Sequence, residues 1–295
     1  MSLKVKGIIP AAVTPFTKNS NINEPVLKKL LLYLADSGVH GIFVLGSQGE
    51  FYALSFEEKV RLMELAIETV GNKLPIYAGT GTNTTRATIK LSQIAEKVGI
   101  DAVSIITPSF ISPSQQELYE HFYQIARAVN IPIILYNNPA RSGLQMSTDL
   151  VGRLSKIPNI IGIKNSSADF SSTVDYIMHT DSEFSVLSGH DYYILATLMY
   201  GGRGSISATA NVAPELAVKI YESFLKGDLK ASLEAQNQLI PLRRAFSMAT
   251  FPQVVKECLK IRNIDVGDAR SPVSALASDE RKKLVEIVRA VLTID

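Results

Sequence analysis

Eight short, almost wholly apolar runs recur along the chain at nearly even spacing, and no other feature restricts the possible folds so strongly. They are Gly7–Val13, Gly41–Leu45, Pro75–Ala78, Ala102–Ile106, Pro132–Tyr136, Ile160–Lys164, Phe184–Leu187 and Gly204–Ser207. Their starts lie 34, 34, 27, 30, 28, 24 and 20 residues apart, about the length of one strand-plus-helix unit. Amphipathic segments fall between them, among them Val26–Asp36, Glu57–Val70, Thr85–Val98 and Glu117–Val129. Ser55-Phe-Glu-Glu58 reads as a capping box opening the second of these, and Gly38, Gly71 and Gly99 stand where helices should end. Strands alternating with helices predict a parallel sheet, and apolar residues at nearly every strand position predict burial on both faces. Eight repeats without a break in composition favour a closed (β/α)8 barrel, the TIM-barrel architecture, over an open doubly wound sheet. After Ser207 the strand pattern stops. Pro214–Lys226, Leu229–Met248, Val254–Arg262 and Asp279–Leu292 read as helices. The expected organisation is therefore a barrel over residues 1–212 and a C-terminal helical extension over 213–295 packed on it.

Several functional classes are disfavoured by composition. The longest apolar stretches, such as Leu30–Ala35 and Ile131–Tyr136, run six residues, whereas a membrane-spanning helix needs roughly 20. The N-terminal segment has no apolar h-region, so no secretory signal is expected. Thirty Lys and Arg against 28 Asp and Glu leave a net charge of +2, too even for a nucleic-acid footprint. Cys258 is the single cysteine and cannot close an intrachain disulfide; it reads as a small buried apolar residue. His40, His121, His179 and His190 stand far apart with no H-x-x-x-H pair, which argues against zinc. The expectation is a soluble, cytoplasmic, metal-free globular protein, with neither a nucleic acid nor a membrane as partner.

In a barrel of this kind the active site lies at the C-terminal strand ends, so the polar residues closing each run are the candidates. The second run ends in Gly46-Ser-Gln-Gly-Glu50, the fifth in Tyr136-Asn-Asn-Pro139, the sixth in Lys164-Asn-Ser, and the seventh in Ser188-Gly-His-Asp191. Lys164 is the outlier, because alternation after Ile160-Ile-Gly-Ile163 aims it into the apolar barrel mouth. A lysine desolvated in such a pocket is pushed toward its neutral amine, the nucleophile that forms imines with carbonyl substrates. The alternative is a lysine that snorkels to solvent or pairs with a carboxylate. Tyr136 offers a phenol for moving protons, or only a buried hydroxyl with a partner. Ser47 sits in a glycine-bounded turn whose N–H groups could hold a carboxylate, or in an ordinary turn. Arg141 could grip an acidic substrate bidentately, or be a surface arginine. Gly201-Gly-Arg-Gly-Ser205 and Gly79-Thr-Gly81 read as tight turns, since neither completes a phosphate-binding motif.

Taken together, Gly46-Ser-x-Gly-Glu50, Ala78-Gly-Thr-Gly81, Tyr136-Asn-x-Pro139, Gly162-Ile-Lys164 and Ser205-Ile-Ser-Ala-Thr-Ala-Asn211 resemble the dihydrodipicolinate synthase / N-acetylneuraminate lyase family of class I, Schiff-base aldolases. The resemblance runs from Gly7-Ile-Ile-Pro-Ala-Ala-Val-Thr-Pro15 to the helical tail. It implies a homotetramer in which Lys164 forms an imine with pyruvate and Tyr136 shuttles protons beside it. It also implies that the Ser47-Gln48 turn binds the pyruvate carboxylate, that backbone at Gly189 and Ile206 lines the pocket, and that the resulting enamine attacks an aldehyde.

For the acceptor, the resemblance points two ways. Tyr136-Asn-Asn-Pro-Ala-Arg-Ser-Gly143 keeps the arginine, Arg141, with which synthases of this family grip aspartate semialdehyde, and this favours 4-hydroxy-tetrahydrodipicolinate synthase, an enzyme of lysine biosynthesis. Against it, Ser47 and Gln48 replace two threonines, and Phe110 replaces a tyrosine that completes the proton relay across the dimer interface. The alternatives are a 2-keto-3-deoxy sugar acid or N-acetylneuraminate-type aldolase, or a homologue that binds pyruvate without turnover. The feedback site of lysine-inhibited synthases would fall at Phe56, Lys59, Asn83, Ala87 and Ser109, of which only Asn83 suits an amino-acid ligand.

Overall fold

The computed structural model describes residues 3–293, so the first two residues of the N-terminal segment and the last two of the 213–295 region lie outside the described residues. Every expected run overlaps a strand: β1 (Gly7–Pro10), β2 (Ile42–Val44), β3 (Ile76–Gly79), β4 (Ala102–Ile106), β5 (Ile133–Asn137), β6 (Ile160–Asn165), β7 (Ser185–Ser188) and β8 (Gly204–Ser207). The helices are α1 (Glu24–Asp36), α2 (Phe56–Val70), α3 (Thr85–Val98), α4 (Gln115–Ala128), α5 (Pro139–Ser142), α6 (Thr148–Leu154), α7 (Ser171–His179), α8 (Ile194–Met199), α9 (Pro214–Leu225), α10 (Leu229–Ala245), α11 (Gln253–Ile261) and α12 (Ser278–Leu292).

All neighbouring strands pair in parallel, in the order β1-β8-β7-β6-β5-β4-β3-β2. The first strand is shorter than its apolar run because the chain changes partner: Ala11 N still bonds Ser207 O at 2.8 Å, while Ala12 N bonds Phe43 O at 2.9 Å. That step, with the Ala11–Phe43 bridge, closes the barrel between β1 and β2. Ile9, Phe43, Tyr77, Ala102, Ile134, Leu187 and Ile206 fill the interior, and a larger apolar layer lies between strands and helices. Burying one such large side chain contributes about 1.5–3 kcal/mol.

The helix starts follow local chemistry. Ser55 and Glu58 form the expected capping box on α2, with Glu58 N donating to Ser55 Oγ at 3.2 Å and Ser55 N to Glu58 Oε2 at 2.8 Å. Ser114 and Glu117 form a second on α4. Gly38 and Gly99 adopt φ of 78° and 95°, as helix-ending glycines do. Gly71 ends α2 in a right-handed conformation at φ −61°, so no left-handed turn requires glycine there. The short helices α5 to α8 have too few turns for periodicity to reveal them. Beyond β8, α9 packs against β1 and α8, α10 runs along α9, and α12 covers α10 and α11. Cys258 is buried in α11, and burial pushes its thiol up. Among the described residues no helix is long and apolar enough to cross a membrane, and no group of three His, Cys, Asp or Glu could hold a metal ion.

Candidate active site

Strand β6 places its lysine by means of a slip in register. Ile160 and Ile163 both pack in the layer under the helices, which a regular two-residue period forbids. Pairing with β5 runs Ile133–Ile160, then Ile134–Gly162, leaving Ile161 as an extra residue. A one-residue slip moves every later side chain to the other face. Lys164 therefore points into the barrel, opposite Tyr136 on β5.

Lys164 is 4% exposed, with Nζ 4.2 Å from the centre of the Tyr136 ring and 5.3 Å from that of Phe43. It neither reaches solvent nor forms an ion pair among the described residues, in contrast to Lys256, whose Nζ lies 2.6 Å from Glu50 Oε1. The Tyr136 hydroxyl accepts from Asn138 Nδ2 at 2.9 Å, and the side chains of Ser47 and Ser166 stand beside it. Burial pushes this phenol up, but the Lys164 charge and the polar groups of Ser47, Ser166 and Asn138 outweigh it and hold it below the ordinary tyrosine value of 10.0.

The Gly46–Glu50 turn faces this pair. Leu45 and Glu50 bound it at φ of 57° and 55°, and Thr14 Oγ1 donates to Gly49 O at 2.7 Å. Glu50 N and Phe51 N bond back to Ser47 O and Gly46 O, whereas no acceptor among the described residues takes the N–H of Ser47 or Gln48. Adjacent free N–H groups in such a turn suit a carboxylate. On the far side, a β-carbon at Gly189 would lie 2.0 Å from Ser166 Oγ and 3.0 Å from Lys164 Cε, so only glycine leaves the lysine its space. Gly189 N is already bonded to Asn165 O at 2.7 Å.

One cavity of about 350 Å³ unites Ser47, Gln48, Tyr136, Arg141, Lys164, Gly189 and Ile206. Arg141, on the one-turn helix α5, holds its guanidinium carbon 5.0 Å over the Phe251 ring. Phe110 is not among the lining residues; it is fully exposed on the loop after β4, at φ 75°. Asn138 and Ser166 were not singled out from the sequence, although each lies two residues beyond Tyr136 or Lys164 and alternation would aim them the same way. Arg243, Phe246 and Phe251 also close the cavity from α10 and the segment after it, which no local pattern signals. Burial, with the Arg243 charge nearby, holds the His190 imidazole below 6.5.

Fold and site together define a (β/α)8-barrel enzyme, a lyase of the class I type that works through a lysine imine. The sequence profile of the "Dihydrodipicolinate synthetase family" matches residues 4–291. The 4-hydroxy-tetrahydrodipicolinate synthase of Methanopyrus kandleri is 39% identical over 294 residues, covering 99% of this chain and 97% of that protein. The crystal structure of dihydrodipicolinate synthase DapA-2 from Bacillus anthracis superposes with a TM-score of 0.93 at 36% identity, covering 96% of this chain and 97% of that one. YagE, a prophage protein of the dihydrodipicolinic acid synthase family from E. coli K12 solved in complex with pyruvate, gives 0.94 at 32% identity, covering 97% and 98%. The chain belongs to the dihydrodipicolinate synthetase family.

Proposed function

We propose that this lyase condenses pyruvate with an aldehyde through an imine on Lys164, with 4-hydroxy-tetrahydrodipicolinate synthase as the favoured activity. The observation that carries the proposal is the buried Lys164 amine, without an ion-pair partner among the described residues, beside a phenol whose value is lowered. Lys164 Nζ adds to the pyruvate keto carbon, and the hydroxyl of the resulting carbinolamine leaves as water with a proton delivered through Tyr136. Tyr136, left as its phenolate, takes a methyl proton to give the enamine, whose methylene carbon attacks the aldehyde as that proton passes to the new alkoxide. With aspartate semialdehyde the acceptor's own amine then displaces the lysine from the imine carbon and closes the ring, whereas water releases an acyclic aldol product. Throughout, the N–H groups of Ser47 and Gln48 hold the pyruvate carboxylate, and Gly189 and Ile206 shape the floor of the pocket. No step calls for a metal or an organic cofactor.

Arg141 sets the choice of acceptor. It borders the cavity with a free guanidinium face, suited to the carboxylate of aspartate semialdehyde. Losing a charge-assisted contact costs about 1.5–3 kcal/mol, so Arg141→Ala is expected to lower acceptor kcat/KM roughly 10- to 150-fold while sparing the reaction with pyruvate. Kinetics over a panel of aldehydes check this, and an Arg141→Ala enzyme unchanged toward every acceptor would remove the main support for the synthase reading. A second reading, an aldolase for 2-keto-3-deoxy sugar acids, draws on the polar wall of His190, Asp191 and Arg243, where Asp191 Oδ1 is buried without a hydrogen-bond partner. The same aldehyde panel separates the two.

The protein assembles as a homotetramer in the cytoplasm. Phe110 and the 53%-exposed Ile111 form one apolar patch, and Met199 and Tyr200 at the end of α8 form another, which supports two kinds of contact between subunits. Burying Phe110 fully is worth about 1.5–3 kcal/mol, so Phe110→Asp should shift sedimentation toward smaller species. Unchanged sedimentation would place that loop in solvent. Lysine is not a feedback inhibitor: Asn83 Oδ1 already accepts from Ser109 N and Ser109 Oγ, at 3.1 and 3.0 Å, and Lys90 stacks on Phe56. Millimolar lysine should leave the rate unchanged, and dose-dependent loss of rate would refute this.

A further inference from the structure

The acid that ends the Gly46–Glu50 turn has no role in the chemistry above, yet it is among the most buried groups in the protein. Glu50 Oε1 and Lys256 Nζ form a close ion pair at 2.6 Å, with side-chain exposures of 1% and 0%. Glu50 Oε2 accepts from Arg270 N at 2.9 Å. Lys256 Nζ also donates to Asp268 O at 3.1 Å and lies 4.3 Å over the Phe16 ring. The Arg270 guanidinium donates in turn to Ala53 O at 2.6 Å, just beyond the turn. Helix α11 and the segment 268–270 thus grip the turn from outside the barrel.

A buried ion pair is weak evidence of a role in stability, because well-packed apolar residues of similar volume often serve as well or better. What a charge pair adds is a fixed geometry at both ends. The turn has need of one: Leu45 and Glu50 hold left-handed backbone conformations that non-glycine residues keep only when their surroundings impose them. These two residues bracket Ser47 and Gln48, which line the cavity and whose N–H groups have no protein acceptor among the described residues. The same C-terminal region supplies Arg243, Phe246 and Phe251 to the cavity wall.

We propose that Lys256 is a positioning residue for pyruvate: through its ion pair with Glu50 it fixes the Ser47-Gln48 turn, so the binding site is incomplete without the C-terminal helices. This rests on the reading of that turn as the carboxylate site. Misplacing a binding group by a fraction of its contact distance is expected to weaken pyruvate recognition about tenfold or more, with little change in acceptor recognition.

The test replaces both charges by apolar residues, Glu50→Leu with Lys256→Met, in the full-length enzyme, and titrates pyruvate in borohydride trapping and in turnover. The expected result is a folded protein whose pyruvate concentration for half-maximal trapping and pyruvate KM both rise about tenfold or more, while the aldehyde KM stays within about twofold. A folded double variant with unchanged pyruvate half-saturation would make the pair structural only and overturn the proposal. Should that variant not fold, hydrogen exchange on the wild-type enzyme decides. Pyruvate should then slow exchange in the 268–270 segment as well as around Ser47, and protection confined to the turn would overturn the proposal. A wild-type enzyme that pyruvate does not label would instead remove the carboxylate-site reading itself, and this inference with it.

Discussion

Replacing Lys164 by alanine is expected to abolish turnover, with a loss of about 10⁴-fold or more, the scale seen when a covalent nucleophile is removed. The protein should remain folded. Lys164 has no ion-pair partner among the described residues, so its removal strands no buried counter-charge, and the alanine takes a polar group away from the apolar surroundings of Phe43 and Tyr136. Steady-state kinetics and a thermal melt measured together separate this from unfolding. A folded Lys164→Ala enzyme with substantial activity would contradict the assignment of the nucleophile.

Tyr136→Phe should be the next most damaging change, lowering kcat by about 10²- to 10⁴-fold, the usual contribution of a positioned proton-transfer group. The ring that packs beside Lys164 is kept and only the hydroxyl is lost, along with the hydrogen bond from Asn138 and the contact with Ser47 and Ser166. Labelling by pyruvate should still go to completion, but more slowly, which distinguishes a proton shuttle from a residue needed to shape the pocket. The phenol itself can be followed by its ultraviolet difference spectrum. Its value is lowered although burial alone would raise it, so in the wild-type enzyme it loses its proton below pH 10.0. Lys164→Ala removes the largest of the opposing influences and should move that titration upward. A phenol that titrates at the same pH in both proteins would mean that the two groups do not interact as their 4.2 Å separation requires.

The sequence made the barrel legible because each strand is buried on both faces and so carries a continuous apolar run, bounded by glycines and capping residues that mark the intervening helices. Ala102–Ile106 and Gly204–Ser207 coincide with β4 and β8 residue for residue. What it could not convey is register. Lys164 does face inward as expected, but not by plain alternation, which from the outward Ile160 would turn it toward the helices; the extra residue at Ile161, a property of the pairing between β5 and β6, brings it in. Residues close to a recognised motif in sequence were within reach, as Asn138 and Ser166 illustrate. Arg243, Phe246 and Phe251, by contrast, come to the cavity from α10 and the segment after it, some 80 residues beyond Lys164, and no local pattern there signals where they dock. The ion pair of Glu50 and Lys256 joins residues more than 200 positions apart. Each reads alone as a solvated charge, and only the fold reveals that both are buried.

Turnover through Lys164 requires a covalent bond between pyruvate and that one amine, and reductive trapping measures the bond directly. Borohydride converts an imine into a stable secondary amine, so pyruvate and borohydride together should add one pyruvate-derived group per chain. Mass spectrometry should map it to the peptide containing Gly162–Asn165, on Lys164, and Lys164→Ala should remain unlabelled. No adduct, or an adduct on any other lysine, would contradict the account.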